Sequence, residues 1–316
     1  MTDPVRPLRG WKLPSHPRIA VVGARGLVGE KLLELLQLHE FPNQGITALP
    51  VGDFSPEKAA HADLIFLAGP ASLAQKYAHE LGTNGRVVID LSEAWRLHPS
   101  VPLVLNGLNL DDVHLHQGLV SSPNCTNGGL VRVLDILRRD AALRQIVVTT
   151  FQAASGGGRR LLQSIAEANS PLHADVIPQC DAFGQDGSTL EEHRVVEESL
   201  RLLDDASLDI SATCVRVPVE VGHGLSVWIE ADLDFDLAAV GQKLGAEDGI
   251  VLGENAEEFP TPKGKRGCEG IFVGRLRHGA KPNQLQLWIV TDNLLTGAAS
   301  NAVAIAGALL PREAQI

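Results

Sequence analysis

The chain has 316 residues, 44% of them apolar and 21% charged, with a net charge of −11. That length allows two domains and a sizeable core, and the composition is that of an ordinary globular protein. The acid excess, without a basic stripe to neutralise phosphates, argues against a nucleic-acid partner, and no run of 18 apolar residues is present to span a membrane.

The four cysteines, at 125, 180, 214 and 268, show neither a CxxC pair nor metal-ligand spacing. A reduced, cytoplasmic protein with no metal site is the expectation. Residues 1–17, with prolines at 4, 7, 14 and 17 and no signal-peptide core, read as a flexible N-terminal arm. The first ordered unit is then Arg18 to Gly29: a short β-branched run, glycines at 23, 26 and 29, and a helix from Glu30 to His39 rich in leucine. Strand, glycine turn and helix in that order suit a dinucleotide. One glycine makes the tight turn, one lets the backbone approach a pyrophosphate, one packs helix on strand, and the phosphate lies on the helix N-terminus. The alternative is a structural turn that binds nothing.

Further strands are expected at 46–49, 64–69 and 87–91, with a helix over 72–81; continuous apolar runs of this kind are buried parallel strands. No acidic residue ends the second strand where a ribose hydroxyl is normally held, Asp53 being a loose candidate. Val101 to Leu105 leads towards a polar loop, Ser121 to Gly129, which carries Cys125 and runs into a helical apolar pattern over 130–137. Cys125 is thus expected at or just before a helix N-terminus, where unpaired N–H groups and the dipole favour a thiolate nucleophile. The alternative is a small buried residue.

The second half changes character. A strand over 145–152 ends in a glycine-rich turn and a helix over 159–168. Residues 212–220 alternate as a half-buried antiparallel strand does, and 225–231 and 284–290 read as two more. A small-residue helix over 296–310 closes the chain. The fold class expected is α/β: a Rossmann-like dinucleotide-binding domain (18–125 with the C-terminal helix 296–316) and an α+β catalytic and dimerisation domain (126–295).

Several motifs in order resemble the aspartate-semialdehyde dehydrogenase family: Ser122-Pro123-Asn124-Cys125-Thr126, Thr149 to Gly156, Arg216-Val217-Pro218-Val219 with His223, Asp292-Asn293-Leu294, and Gly297 to Ala302. The resemblance runs from about Arg18 to Leu309. It implies NADPH-dependent reductive dephosphorylation of L-aspartyl-4-phosphate by a homodimer or homotetramer. It makes Cys125 the nucleophile, His223 the general acid/base and Gln152 the residue that orients the intermediate. Arg216 would clamp the α-carboxylate, Arg96 and Asn124 the phosphate, and Glu191 with Arg194 would match a Glu-x-x-Lys pair for the amino group and phosphate. Gly23, Arg25, Gly26, Leu27, Val28, Gly29, Gly69, Ser155, Gly156 and Asn293 would hold the cofactor.

The chemistry of the residues agrees, since a thiolate attacks an acyl phosphate and imidazole titrates near working pH. This sequence departs from the family at four places: Asn106-Gly107-Leu108-Asn109 for Pro-Glu-Val-Asn, Asn127-Gly128-Gly129 after Cys125-Thr126, arginine for lysine at 194, and no Ser/Arg-rich loop after the second strand to grip a 2′-phosphate. The resemblance implies NADP as the cofactor, and the missing loop keeps NAD as its alternative. A non-catalytic paralogue of the same fold, or a related reductase acting on N-acetylglutamyl phosphate, are the competing readings.

Overall fold

The computed structural model describes residues 11–314, which fall into two compact units, 11–123 with 299–314, and Asn124–Ala298. In the first unit β1 (Ile19–Val22), β2 (Ile46–Leu49), β3 (Leu64–Leu67), β4 (Val87–Asp90) and β5 (Leu119–Ser121) form one parallel sheet in the order β2-β1-β3-β4-β5. β1, β3 and β4 are buried at every position, as continuous apolar runs require. The connections carry α1 (Leu27–Leu38), a one-turn α2 (Pro56–Ala59) and α3 (Ala71–Leu81). The three-residue β5 is too short to be read from the sequence.

Residues 1–10 of the expected arm lie outside the described residues. Residues 11–17 pack: the Leu13 N–H donates to Leu309 O at 3.1 Å with its side chain buried, and His116 Nε2 lies 3.0 Å from Trp11 O.

The second unit holds α4 (Asn127–Arg138), β6 (Leu143–Gln152), α5 (Gly158–Ser164), α6 (Leu190–Leu203), β7 (Asp209–Arg216), β8 (His223–Ala231), α7 (Leu237–Ala246), β9 (Ile250–Leu252), β10 (Ile271–His278) and β11 (Gln284–Thr291). Its six-stranded mixed sheet runs β7-β6-β8-β11-β10-β9. The strand expected over 212–220 corresponds to β7, which lies parallel to β6, not antiparallel. β7 ends at Arg216 because Pro218 has no N–H to continue a ladder.

α6 has the polar composition that hides a helix from apolar periodicity. Its Thr189–Glu192 capping box, with Thr189 N–H donating to Glu192 Oε2 at 2.6 Å, was the start signal available. β10 is broken as a pattern by Gly274 and by Arg275 at φ +58°, where its register with β11 shifts. One π-helical turn, Leu295–Ala299, leads into α8 (Ser300–Leu309) of the first unit. Among the described residues no helix is long and apolar enough to cross a membrane.

Candidate active site

Cys125 enters α4 from the loop that follows β5, with Thr126 as the N-cap residue. His223 opens β8 at the end of the sheet, and the two side chains meet with Cys125 Sγ 3.4 Å from His223 Nε2. The Ala153 N–H donates to His223 Nδ1 at 3.1 Å. A ring nitrogen that accepts carries no proton, so the neutral imidazole is the Nε2–H tautomer and its N–H faces the sulfur. Burial, with the Arg216 guanidinium second, pushes His223 down to about 3, and the residue is fully buried. The pair at rest is thus held with a neutral imidazole.

Cys125 is partly exposed. Burial pushes the Cys180 thiol up to about 12 and raises that of Cys214, so neither competes as a thiolate.

Gly297, in the π turn, explains a glycine beside the nucleophile. A Cβ there would lie 2.6 Å from Cys125 O and 2.9 Å from Cys125 Cβ. Gly156 plays the same part for the other groups, since a Cβ on it would lie 2.8 Å from Arg216 Nη1 and 3.1 Å from His223 Cε1. Arg216 and His223 therefore converge on one spot, and Arg216 Nη1 is anchored by donating to Ala153 O at 2.7 Å.

Gln152 closes β6 and is buried. Its Nε2 donates to Thr126 Oγ1 at 3.2 Å, Thr150 Oγ1 at 3.3 Å and Glu191 Oε1 at 3.1 Å. Glu191 also accepts from Asn124 Nδ2 at 3.0 and 3.1 Å and from Arg194 Nη1 at 3.2 Å. Arg194 Nη1 lies 2.7 Å from Asp181 Oδ2 as well. Of the expected second-unit residues, Cys125, His223, Gln152, Asn124, Glu191, Arg194 and Arg216 form this connected set. Thr126, Asp181, Gly297 and the Ala153 N–H belong to it without having been foreseen. Thr126, Ala153 and Gly297 lie within the motifs that carry the resemblance, whereas Asp181 carried no sequence signal.

Ser155 and Asn293, expected at the cofactor, brace the backbone. Asn293 Oδ1 accepts from Ser155 Oγ at 3.1 Å and from the Gly222 N–H at 2.8 Å. The neighbouring Asp292 Oδ1 accepts from the Leu294 and Leu295 N–H groups at 2.9 and 3.2 Å.

In the first unit the glycine turn is built as expected. Gly23 has φ +87° and a Cβ on it would lie 2.2 Å from Ala68 O, while one on Gly29 would lie 2.2 Å from Gly23 O. Gly69 backs the same turn. Gly26 is the N-cap of α1 and offers no side-chain cap, so no side chain competes for the amides at its first turn, around Leu27 and Val28. These residues fit a pyrophosphate. Arg25 is exposed on the turn. Arg96 is buried, with Nε donating to Ser122 O and Nη2 to Leu91 O, both at 2.9 Å. Beside it Asp90 is pushed up to about 6 by burial, against the opposing hydrogen bonds from Ser92.

Two family models match, the "Semialdehyde dehydrogenase, NAD binding domain" over residues 38–116 and the "Semialdehyde dehydrogenase, dimerisation domain" over 134–296. The chain is 31% identical to the aspartate-semialdehyde dehydrogenase of Bacillus subtilis (strain 168), over 92% of this chain and 96% of that one. With the enzyme of Prochlorococcus marinus the identity is 32%, over 95% and 98%. Among solved structures, aspartate semialdehyde dehydrogenase II of Vibrio cholerae, complexed with ASA, superposes with a TM-score of 0.87 at 29% identity, covering 93% of this chain and 98% of that one. A probable aspartate-semialdehyde dehydrogenase from Pseudomonas aeruginosa gives 0.84 at 29%, covering 94% and 99%. With a cysteine and a histidine paired at the head of a mixed sheet, a glycine turn on a parallel one, and these likenesses over nearly its whole length, the chain belongs to the aspartate-semialdehyde dehydrogenase family of NAD(P)-dependent oxidoreductases.

Proposed function

We propose that this protein reduces L-aspartyl-4-phosphate to L-aspartate 4-semialdehyde, releasing phosphate, as a step of amino-acid biosynthesis. The observation that carries the reading is the Cys125–His223 pair at 3.4 Å, with the imidazole tautomer set by the Ala153 N–H. Cys125 Sγ, reacting as the thiolate to which the His223 Nε2–H donates, attacks the acyl carbon and expels phosphate, leaving a thioester. When bound, the reduced nicotinamide supplies the hydride that converts the thioester to a thiohemiacetal. The Nε2–H of His223 is aimed at the reacting sulfur, where it holds the proton given to the developing oxyanion and takes it back as the aldehyde leaves. Gln152 orients the intermediate. Arg216 offers a planar fork to the α-carboxylate, and Glu191 a carboxylate to the α-ammonium. Asn124 and Arg194 face the phosphate.

The cofactor we assign is NADP, its pyrophosphate on the uncapped start of α1 and its 2′-phosphate met by Arg25. We assign the glycine-turn unit to the dinucleotide and the Asn124–Ala298 unit to catalysis and dimerisation. A cytoplasmic homodimer is proposed on the description of the matched dimerisation domain. The half-exposed sheet-face residues Phe151, Trp228 and Trp288, with the exposed Val147, support it.

The test runs the reaction backwards, with aspartate semialdehyde, phosphate and either NADP⁺ or NAD⁺, following dinucleotide reduction. Phosphate-dependent reduction is expected. No turnover with this aldehyde, or a preference for N-acetylglutamate semialdehyde, would sink the assignment.

A further inference from the structure

The geometry points to Glu198 as a positioning residue for the nucleophile loop. The inference rests on Cys125 being the reacting thiol. Glu198 lies on α6 about two helical turns beyond Glu191, on the same face. It is 1% exposed, and a carboxylate taken so far from water is held only for what it bonds. Its Oε2 accepts the backbone N–H of Asn124 at 2.7 Å, a bond to the residue immediately before the nucleophile.

The same face of α6 grips the loop at two further points. Glu191 accepts the Asn124 side-chain amide at 3.0 and 3.1 Å. Asn127 Nδ2 donates to Arg194 O at 3.3 Å and Val195 O at 3.4 Å. Asn124 Oδ1 in turn accepts the Thr126 N–H at 2.8 Å, closing the turn around Cys125. Glu191 is placed to meet substrate; Glu198 is covered and meets only protein here. Its work is to fix the Asn124 peptide, and through it the direction from which Sγ approaches His223.

This separates a positioning role from a merely stabilising one. Glu198→Ala should lower kcat by about 10–100-fold, the scale of a small misplacement of reacting atoms, with KM within about threefold of wild type. Alkylation of Cys125 by iodoacetamide, read by peptide mass spectrometry, should slow with it as Sγ leaves the Nε2–H. Glu198→Gln keeps an acceptor oxygen at the same reach and should retain at least about a third of both rates.

A folded Glu198→Ala protein with wild-type kcat and alkylation rate, changed only in Tm, would overturn the inference. So would a Gln variant as slow as the Ala variant. If Glu198→Ala does not fold, Glu198→Asp decides, since it keeps the carboxyl group but is one methylene short. Slow rates in Asp with recovery in Gln uphold the role, and wild-type rates in Asp overturn it. The alkylation arm uses no substrate. If the wild-type protein fails to oxidise the aldehyde while Glu198→Ala still slows alkylation, the assigned reaction falls and the positioning role stands.

Discussion

The two units equip their sites by opposite means. In the first, the glycine turn works by lacking side chains: Gly23 and Gly29 sit where a Cβ would strike backbone oxygen at 2.2 Å, and Gly26 leaves the start of α1 uncapped. In the second, the site is a web of side chains. Asn124, Gln152, Glu191 and Arg194 bond one another from β6, α6 and the cysteine loop, and Arg216 and His223 close on Gly156. A backbone device is local, so it tolerates any change that keeps its glycines. A web spans the fold, and each member constrains the others. Substitutions in the second unit should therefore cut activity more deeply than comparable ones in the first.

The largest effect belongs to Cys125→Ala, which removes the attacking atom. Turnover should vanish while circular dichroism and Tm stay near wild type, and residual acyl transfer above background would break the scheme. Next comes His223→Asn, expected to lower kcat by about 10²–10⁴-fold. The same variant has a stability signature. The folded-state value of about 3 lies below the ordinary 6.5 or so of a free imidazole. The unfolded chain therefore takes up a proton that the folded chain refuses, and stability is full above about pH 6.5 and falls as the pH drops towards 3. At pH 5 the histidine should cost the wild type about 2 kcal/mol relative to pH 7, a slope the Asn variant lacks. Denaturant unfolding of both proteins at pH 7 and pH 5 measures the difference, and parallel losses would refute the buried neutral imidazole.

The contrast also explains what could be read from the chain. The glycine turn, the parallel strands and the cysteine at a helix start were legible because each is a local pattern: a spacing, an apolar run, a polar loop before a period of 3.6. The web was not. Asn124 meets Glu191 across 67 residues and Cys125 meets His223 across 98, and no periodicity announces such pairs. Only family resemblance pointed to them, and it named the residues without their partners, so that Ala153 and Asp181 went unseen. β7 was misjudged because alternating burial is common to any half-covered strand and says nothing of its neighbour's direction. α6 escaped because its buried face includes Glu191, Glu198 and Ser199, which do not register as apolar.

A smaller effect probes the point where the second unit borrows the first unit's device. Gly297→Ala puts a methyl 2.6 Å from Cys125 O, a contact that only movement of the cysteine backbone relieves. Turnover should fall by about 10–100-fold with KM little changed. If glycine is there only for the π turn, Tm should fall and kcat per folded molecule should hold.

The smallest effect sharpens the comparison on the first unit's side. After β2 the chain makes only the short turn Val51–Asp53 and the single helical turn Pro56–Ala59. Within that turn the exposed Asp53 would repel a 2′-phosphate and favour a free ribose hydroxyl. Arg25, exposed on the glycine turn, offers the opposite charge, and a guanidinium suits phosphate better than any other side chain. If Arg25 holds the 2′-phosphate, wild type should prefer NADP⁺, and Arg25→Thr should erase about tenfold of that preference, near 1.4 kcal/mol, while NAD⁺ affinity stays put. The effect is small because an exposed ion pair at a surface is screened and the glycine turn itself is untouched. Titrating each dinucleotide against both proteins reads it directly. An NADP⁺ preference that survives the substitution would move the 2′-phosphate away from Arg25, and equal use of both dinucleotides by wild type would leave the turn as a pyrophosphate cradle alone.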